Sequence, residues 1–235
     1  MYNTILQPDY NSKECRAIRH LSAIRDDVKI TNLVDKNNIP IGTVEFTKKY
    51  FMQIGIDIPI FTPYPDTIPN NYYQRIIEIK TLETIFSDCI DCFIKPNELK
   101  QFNGFCFRGL DFEYDNHDKE QIDVILNLNP NTKVYCSDII DIDYEFRCYI
   151  NNKEIIAICQ YDSNDDYIIL DTQQQTIKDI LTYIPYNNFT LDIGIINDNI
   201  IIIELNDAWA IGLYNGISNL DYLKLLDSRW QEIIK

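Results

Sequence analysis

TLDIGIINDNIIIIELND (residues 190–207) is the stretch whose pattern decides the fold. Two apolar runs flank an Asn/Asp-rich break, so they read as strands Phe189–Ile196 and Ile200–Leu205 of one hairpin turning at Asp198-Asn199. Asp192 lies on the first strand, and Glu204 and Asn206 lie near the end of the second. Residues two apart on a strand share a face, so Glu204 and Asn206 point the same way and the hairpin can set Asp192 opposite them. Three hard oxygen donors converging on one spot suit Mg²⁺. Glu204 also interrupts a run of four isoleucines, where a carboxylate is costly unless paired or metal-bound. The alternative is an ordinary hairpin with a polar exit.

Two earlier segments carry cations. In CFIKPNELKQFNGFCF (residues 92–107), Lys95 ends an apolar strand, and Lys100 follows in a short loop that includes Gly104. An ammonium at a strand end suits a phosphate, and a glycine turn lets backbone amides approach an anion. Each lysine can equally be a solvated charge, and no Walker-type motif occurs in the chain. In VYCSDIIDIDYEFRCYI (residues 134–150), Glu145 and Arg147 share a strand face. An arginine between Phe146 and Cys148 either closes a buried ion pair, with Glu145 or another acid, or waits for an anion.

Around these segments the chain reads as α+β. Residues 1–65 alternate: an apolar run at 2–7, a helix at 12–24 with Ser12 as its cap, a strand at 28–34, a helix at 44–54 and a strand at 56–61. This βαβαβ rhythm predicts a small α/β lobe with partly parallel strands. Pro63, Pro65 and Pro69 mark a linker, which places a boundary between a lobe at 1–70 and a larger domain at 71–235. In that domain, Ile76, Ile79, Leu82 and Ile85 predict a helix over 72–86. Mixed, mostly antiparallel strands follow, with helices at 119–128, 176–184 and 220–234.

Composition limits what the chain can bind. Its 235 residues carry 21 basic and 36 acidic side chains, a net charge of −15. Such a field opposes nucleic acid and anionic membranes, so neither is an expected partner. The apolar stretches fall short of the ~18 residues of a membrane span, and the N-terminus has no leader pattern, so a soluble, cytoplasmic protein is expected. Seven cysteines cannot all pair, and most sit in apolar runs, which fits reduced buried thiols. Cys89 and Cys92 form a lone CxxC with no second pair to complete a zinc site.

Taken in order, FIKP with LKQFNGF, SDIIDIDYEFR, LDIG with IELNDAW, and YLKLLDSRW resemble an ATP-grasp ligase, most closely the clade named for two arginines and a lysine. The similarity covers roughly residues 75–235, and the N-terminal rhythm is similar to the small lobe that precedes a grasp domain. The resemblance implies an ATP-grasp fold and two cofactors, ATP and Mg²⁺. It further implies activation of a carboxylate as an acyl phosphate, then capture by an amine, with small-molecule or peptide substrates. The alternative is an ATP-binding sensor or scaffold without catalysis.

The resemblance also implies roles. Asp192, Glu204 and Asn206 would hold magnesium. Lys95 would contact phosphates, and Lys100, with Phe102 and Gly104, would form a flap over them. Arg147 would steady the transferring phosphoryl group, acting catalytically with Lys100. Ser137, Asp138, Ile139 and Ile140 would form the adenine hinge, and Glu145 would reach the ribose or orient Arg147. Arg75 and Arg108 are the candidates for the second clade arginine. Thr190 stands where several relatives have an arginine, and the flap is poor in glycine. Trp209 and Tyr214 either line the substrate end or pack.

Overall fold

The computed structural model describes residues 1–88, 91–98, 101–162 and 164–235. In chain order the elements are β1 (Tyr2–Leu6), α1 (Lys13–Ile24), β2 (Val28–Ile30), β3 (Ile39–Ile41), α2 (Val44–Ile54), a 3₁₀ turn (Asn70–Tyr72), β4 (Ile77–Thr81), α3 (Leu82–Asp88), β5 (Cys92–Pro96), β6 (Phe105–Phe107), α4 (Asn116–Leu126), β7 (Lys133–Ser137), β8 (Tyr144–Asn151), β9 (Glu154–Gln160), α5 (Asp171–Leu181), β10 (Phe189–Ile196), β11 (Asn199–Asp207) and α6 (Asn219–Ile233). They form two compact units, residues 1–72 with 142–235, and residues 73–141.

The first unit holds a parallel sheet, β2-β1-β3, and an antiparallel sheet, β11-β10-β8-β9. Helix α1 begins after its expected cap, Ser12, which accepts from the Cys15 N–H at 3.2 Å, and α2 is capped by Thr43, which accepts from the Phe46 N–H at 3.2 Å. One apolar core joins N-terminal and C-terminal segments. Phe51 packs against Trp209 with ring centroids 5.4 Å apart and against Trp230 at 5.3 Å, and Ile18, Leu21, Tyr222 and Leu226 belong to the same cluster. Because residues 1–70 share this core with α6 and the β11 exit, the compact units divide the chain differently from a cut at residue 70.

The second unit is the antiparallel sheet β4-β7-β5-β6 with α3 and α4. Its core is built from Leu82, Ile85, Ile94, Phe105, Phe107, Ile125 and Val134.

The predicted strand at 28–34 stops at Ile30, and two further predicted elements are absent or change type. Residues 56–61 form no strand; the third parallel strand is β3, ahead of α2. Its Ile-Pro-Ile pairs with Thr4, Ile5 and Leu6, and proline is tolerated because β3 is an edge strand with one side unpaired. The predicted helix over 72–86 is instead β4 followed by α3. The three-residue isoleucine spacing straddles a strand–helix junction, and Ile76 and Ile79 are exposed rather than on a buried face. Thr81 marks the switch, its hydroxyl accepting from the Thr84 N–H at 3.2 Å.

The β10–β11 hairpin turns one residue away from the predicted position. Asn197 and Asp198 both have positive φ, 47° and 64°, as a two-residue type I′ connection requires. Gly194 is needed for space: a Cβ there would lie 2.7 Å from Ile142 Cγ2. Among the described residues, no helix is long and apolar enough to cross a membrane.

Candidate active site

The β11-β10-β8-β9 sheet presents its polar groups in rows. Register places Glu204 beside Asp192, Asp192 beside Arg147, and Arg147 beside Cys159. The next row runs Asn206, Thr190, Tyr149, Ala157. The register shifts after Asp192, where Ile203 is the extra residue on β11. The bulge lets the isoleucine run end with Glu204 opposite Asp192, the juxtaposition expected from the hairpin.

Arg147 closes an ion pair with Asp192, not Glu145. Its Nε and Nη2 donate to Oδ1 and Oδ2 of Asp192, each at 2.7 Å. The two side chains are 12% and 3% exposed, so this is a buried, bidentate pair. Burial pulls the guanidinium pKa down, but the charge and hydrogen bonds of Asp192 outweigh it and raise it above the ordinary value. Asn206 ties the acids together: its Nδ2 donates to Asp192 Oδ2 at 3.1 Å and to Glu204 Oε1 at 3.0 Å. The amide thus turns its NH2 end toward both carboxyl groups.

Aromatic groups cover the pair. Tyr214 lies against Arg147, its ring centroid 5.0 Å from Cζ, and Tyr161 stacks on Tyr214 at 5.2 Å and 19°. Burial raises the pKa of Tyr161, as do the charges of Asp192 and Glu145. The Glu145 backbone N–H donates to the Asp162 carboxylate. Trp209 takes the packing alternative, as it is 4% exposed and belongs to the core.

Asp192 and Glu204 bring hard carboxylate oxygens, and Asn206 turned about its last torsion brings a third oxygen, so the set fits Mg²⁺ by donor chemistry. Among the described residues, no three His, Cys, Asp or Glu side chains cluster as a metal site, so the third ligand here depends on the asparagine.

The remaining candidates belong to the second unit. Lys95 pairs with Tyr135 across β5 and β7. Gly104 lies over the same strand: a Cβ there would meet Phe93 Cζ at 2.7 Å and Lys95 Cβ at 3.2 Å. Phe102 is buried in the core beside Phe105. Ser137 ends β7, and Asp138, Ile139 and Ile140 follow without regular structure. The Ser137 hydroxyl donates to the Asp138 carbonyl at 3.2 Å, and the Asp138 carboxylate accepts from the Ile76 N–H at 3.1 Å. Arg75 donates to the Tyr73 carbonyl at 3.2 Å. Arg108 pairs with Asp91 at 3.2 Å, both partly exposed, and lies over Phe112 at 5.7 Å. Lys100 and Cys89 lie outside the described residues. The six described cysteines are free thiols, and five are buried.

The residues that reasoning from sequence missed are Tyr149, Tyr161 and Glu14. Tyr149 and Glu14 hydrogen-bond the loop after β11 across 63 and 199 positions. No local pattern carries that signal.

The sequence matches an ATP-grasp domain model, family 2 of the clade named for two arginines and a lysine, over residues 72–225. No curated protein matches it significantly. The fold is similar to that of a RimK-domain ATP-grasp protein from Sphaerobacter thermophilus, at 11% identity and a TM-score of 0.57, covering 97% of this chain and 98% of that one. It is also similar to the D-alanine–D-alanine ligase of Bacillus anthracis, at 12% identity and a TM-score of 0.55, covering 100% and 97%. The same ligase complexed with ATP gives 13% and 0.54, covering 100% and 96%. The structure thus has the α+β fold of ATP-grasp ligases, and the family match spans well over half the sequence: the chain belongs to the ATP-grasp domain family, in family 2 of the two-arginine, one-lysine clade.

Proposed function

We propose that the chain is an ATP-dependent ligase that joins a carboxylate to an amine through an acyl phosphate. The observation that carries this reading is the hydrogen-bonded cluster of Arg147, Asp192, Glu204 and Asn206 around the buried Asp192, on one sheet face of an ATP-grasp chain. In this reading the substrate carboxylate attacks the γ-phosphorus, forming one P–O bond as the bond to the β-phosphate oxygen breaks and ADP leaves. The amine then attacks the acyl carbon and phosphate departs. Such chemistry asks for positioning and charge neutralisation more than for a protein nucleophile.

Asp192, Glu204 and Asn206 would hold Mg²⁺, which supplies charge neutralisation at phosphate oxygens. Arg147 brings a guanidinium whose proton is not lost at working pH, so it offers fixed positive charge to a phosphoryl oxygen. Lys95 would add a second cation on a phosphate, and Lys100 with Gly104 would close over it. The backbone of Ser137 to Ile140 would receive the adenine, and Glu145 the ribose. Asp138 already holds the Ile76 N–H, which fixes the hinge segment.

The test is ADP release across a panel of carboxylates paired with amines, with magnesium titrated. Turnover should need all four components. Asp192→Asn and Glu204→Gln should each lower it roughly a hundredfold or more while near-ultraviolet circular dichroism stays native. If magnesium-ATP binds but no pair of substrates releases ADP, the chain is a nucleotide-binding module without catalysis. Unchanged turnover in both variants would remove the metal assignment.

A further inference from the structure

The loop after β11 is held with unusual completeness. At four consecutive residues a backbone group is bound by a side chain from a distant element. The Ile211 carbonyl accepts from the Tyr222 hydroxyl of α6 at 2.7 Å. The Gly212 carbonyl accepts from the Tyr149 hydroxyl of β8 at 2.8 Å. The Leu213 N–H donates to Glu14 Oε1 of α1 at 2.8 Å, and the Tyr214 N–H donates to the Tyr149 hydroxyl at 3.0 Å. Tyr149 and Tyr222 are themselves fully buried, so the anchors are as rigid as the core.

This platform delivers one side chain to the ion pair. Tyr214 comes to 5.0 Å from the Arg147 guanidinium carbon, with Tyr161 stacked on its ring. Two guanidinium nitrogens are committed to Asp192, and the third, Nη1, lies 3.6 Å from where a Cβ on Gly212 would stand. The plane of Arg147 is therefore set by the carboxylate in one direction and by the aromatic ring in another. An arginine held only by its fork to a carboxylate can still rock about the axis joining them. A ring against it removes that freedom and favours the cation electrostatically.

We propose that Tyr214 is a positioning residue for Arg147, and that the pinned segment 211–214 exists to hold its ring there. The contact is independent of nucleotide, whereas its catalytic consequence rests on the ligase reading above.

The experiment compares Tyr214→Phe, which keeps the ring, with Tyr214→Leu, which keeps apolar bulk and loses the π face. The first readout is the Arg147 Nε–H in ¹⁵N-edited NMR of the protein without ligand, assigned by its loss in Arg147→Lys. Wild type and Tyr214→Phe should show a ring-shifted, slowly exchanging proton, and Tyr214→Leu should lose the ring shift and exchange roughly tenfold faster. The second readout is steady-state kinetics with magnesium-ATP. Tyr214→Leu should lower kcat roughly tenfold with the ATP KM nearly unchanged, and Tyr214→Phe should restore it. A Tyr214→Leu proton indistinguishable from wild type overturns the proposal, as does a kcat loss that Phe fails to rescue. If the NMR change occurs while wild type turns over no substrate pair, the positioning contact stands and the ligase reading fails.

Discussion

Removing Arg147 tests whether the buried pair is a balanced unit or a set of separable contacts. Asp192 is almost completely enclosed, and Arg147 is nearly so. Arg147→Met keeps the stem but leaves a buried carboxylate without its bidentate partner, which costs about 3–5 kcal/mol. For a chain of this size each kcal/mol shifts Tm by about 2–4 °C, so the expected fall is about 6–20 °C. Asp192→Leu should cost a similar amount for the mirror-image reason. The double variant Arg147→Met with Asp192→Leu removes both charges and leaves apolar groups of similar size. It should fall within about 2 kcal/mol of wild type, so the coupling is several kcal/mol. The assay is urea unfolding followed by tryptophan fluorescence, because Trp209 and Trp230 both lie in the core of the unit that holds the pair. A single-variant loss below about 1 kcal/mol, or a double variant as unstable as the sum of the singles, would refute the reasoning.

Further effects follow from particular contacts. Gly194→Ala places a Cβ 2.7 Å from Ile142 and 3.1 Å from Ile201, and should cost about 1–3 kcal/mol in urea midpoint stability, partly recovered by Ile142→Ala. Ser218 caps α6 by accepting from the Asp221 N–H at 3.0 Å, so Ser218→Ala should cost about 1 kcal/mol in thermal unfolding. Lys224, then Ser218, hold the Asp221 carboxyl below its ordinary value of 3.8. That stabilisation is present above the unfolded pKa and is lost as pH falls through the lower folded one. Because Asp221 is partly exposed, Asp221→Asn should remove less than about 1 kcal/mol, seen only as a shallower acid limb. Native protein should present at most two fast thiols to a disulfide reagent and all seven after denaturation, since five of the six described cysteines are buried; five fast thiols would contradict that packing.

The hairpin of β10 and β11 was legible because its information is local. Two apolar runs, an Asn/Asp turn and two-residue spacing place Asp192, Glu204 and Asn206 on one face with no knowledge of the rest of the chain. The partner of Arg147 was not legible in this way. Glu145 is nearer in sequence, and only the antiparallel register of β8 against β10 brings Asp192 to the guanidinium across 45 positions. The helix predicted over 72–86 failed because a spacing of three can arise by chance where a strand meets a helix, and pairing of β4 with β7 overrode it. The strand at 39–41 hid behind a proline that only an edge position excuses. Tyr161 and the loop anchors depend on tertiary placement, so no window of sequence contained them.

The division into units also has a consequence for synthesis. Residues 73–141 are one uninterrupted stretch, and among the described residues their core cluster runs from Leu82 to Cys136. Everything that unit needs has left the ribosome once residue 141 is free. The other unit is split in the chain: Ile18, Tyr50 and Phe51 are made well before the surfaces they pack on, Trp209, Tyr222 and Trp230. The first helices must therefore wait, with apolar faces uncovered, for the whole intervening stretch to be translated. Chaperone engagement during translation should concentrate on residues 1–72, and end only when α6 is complete.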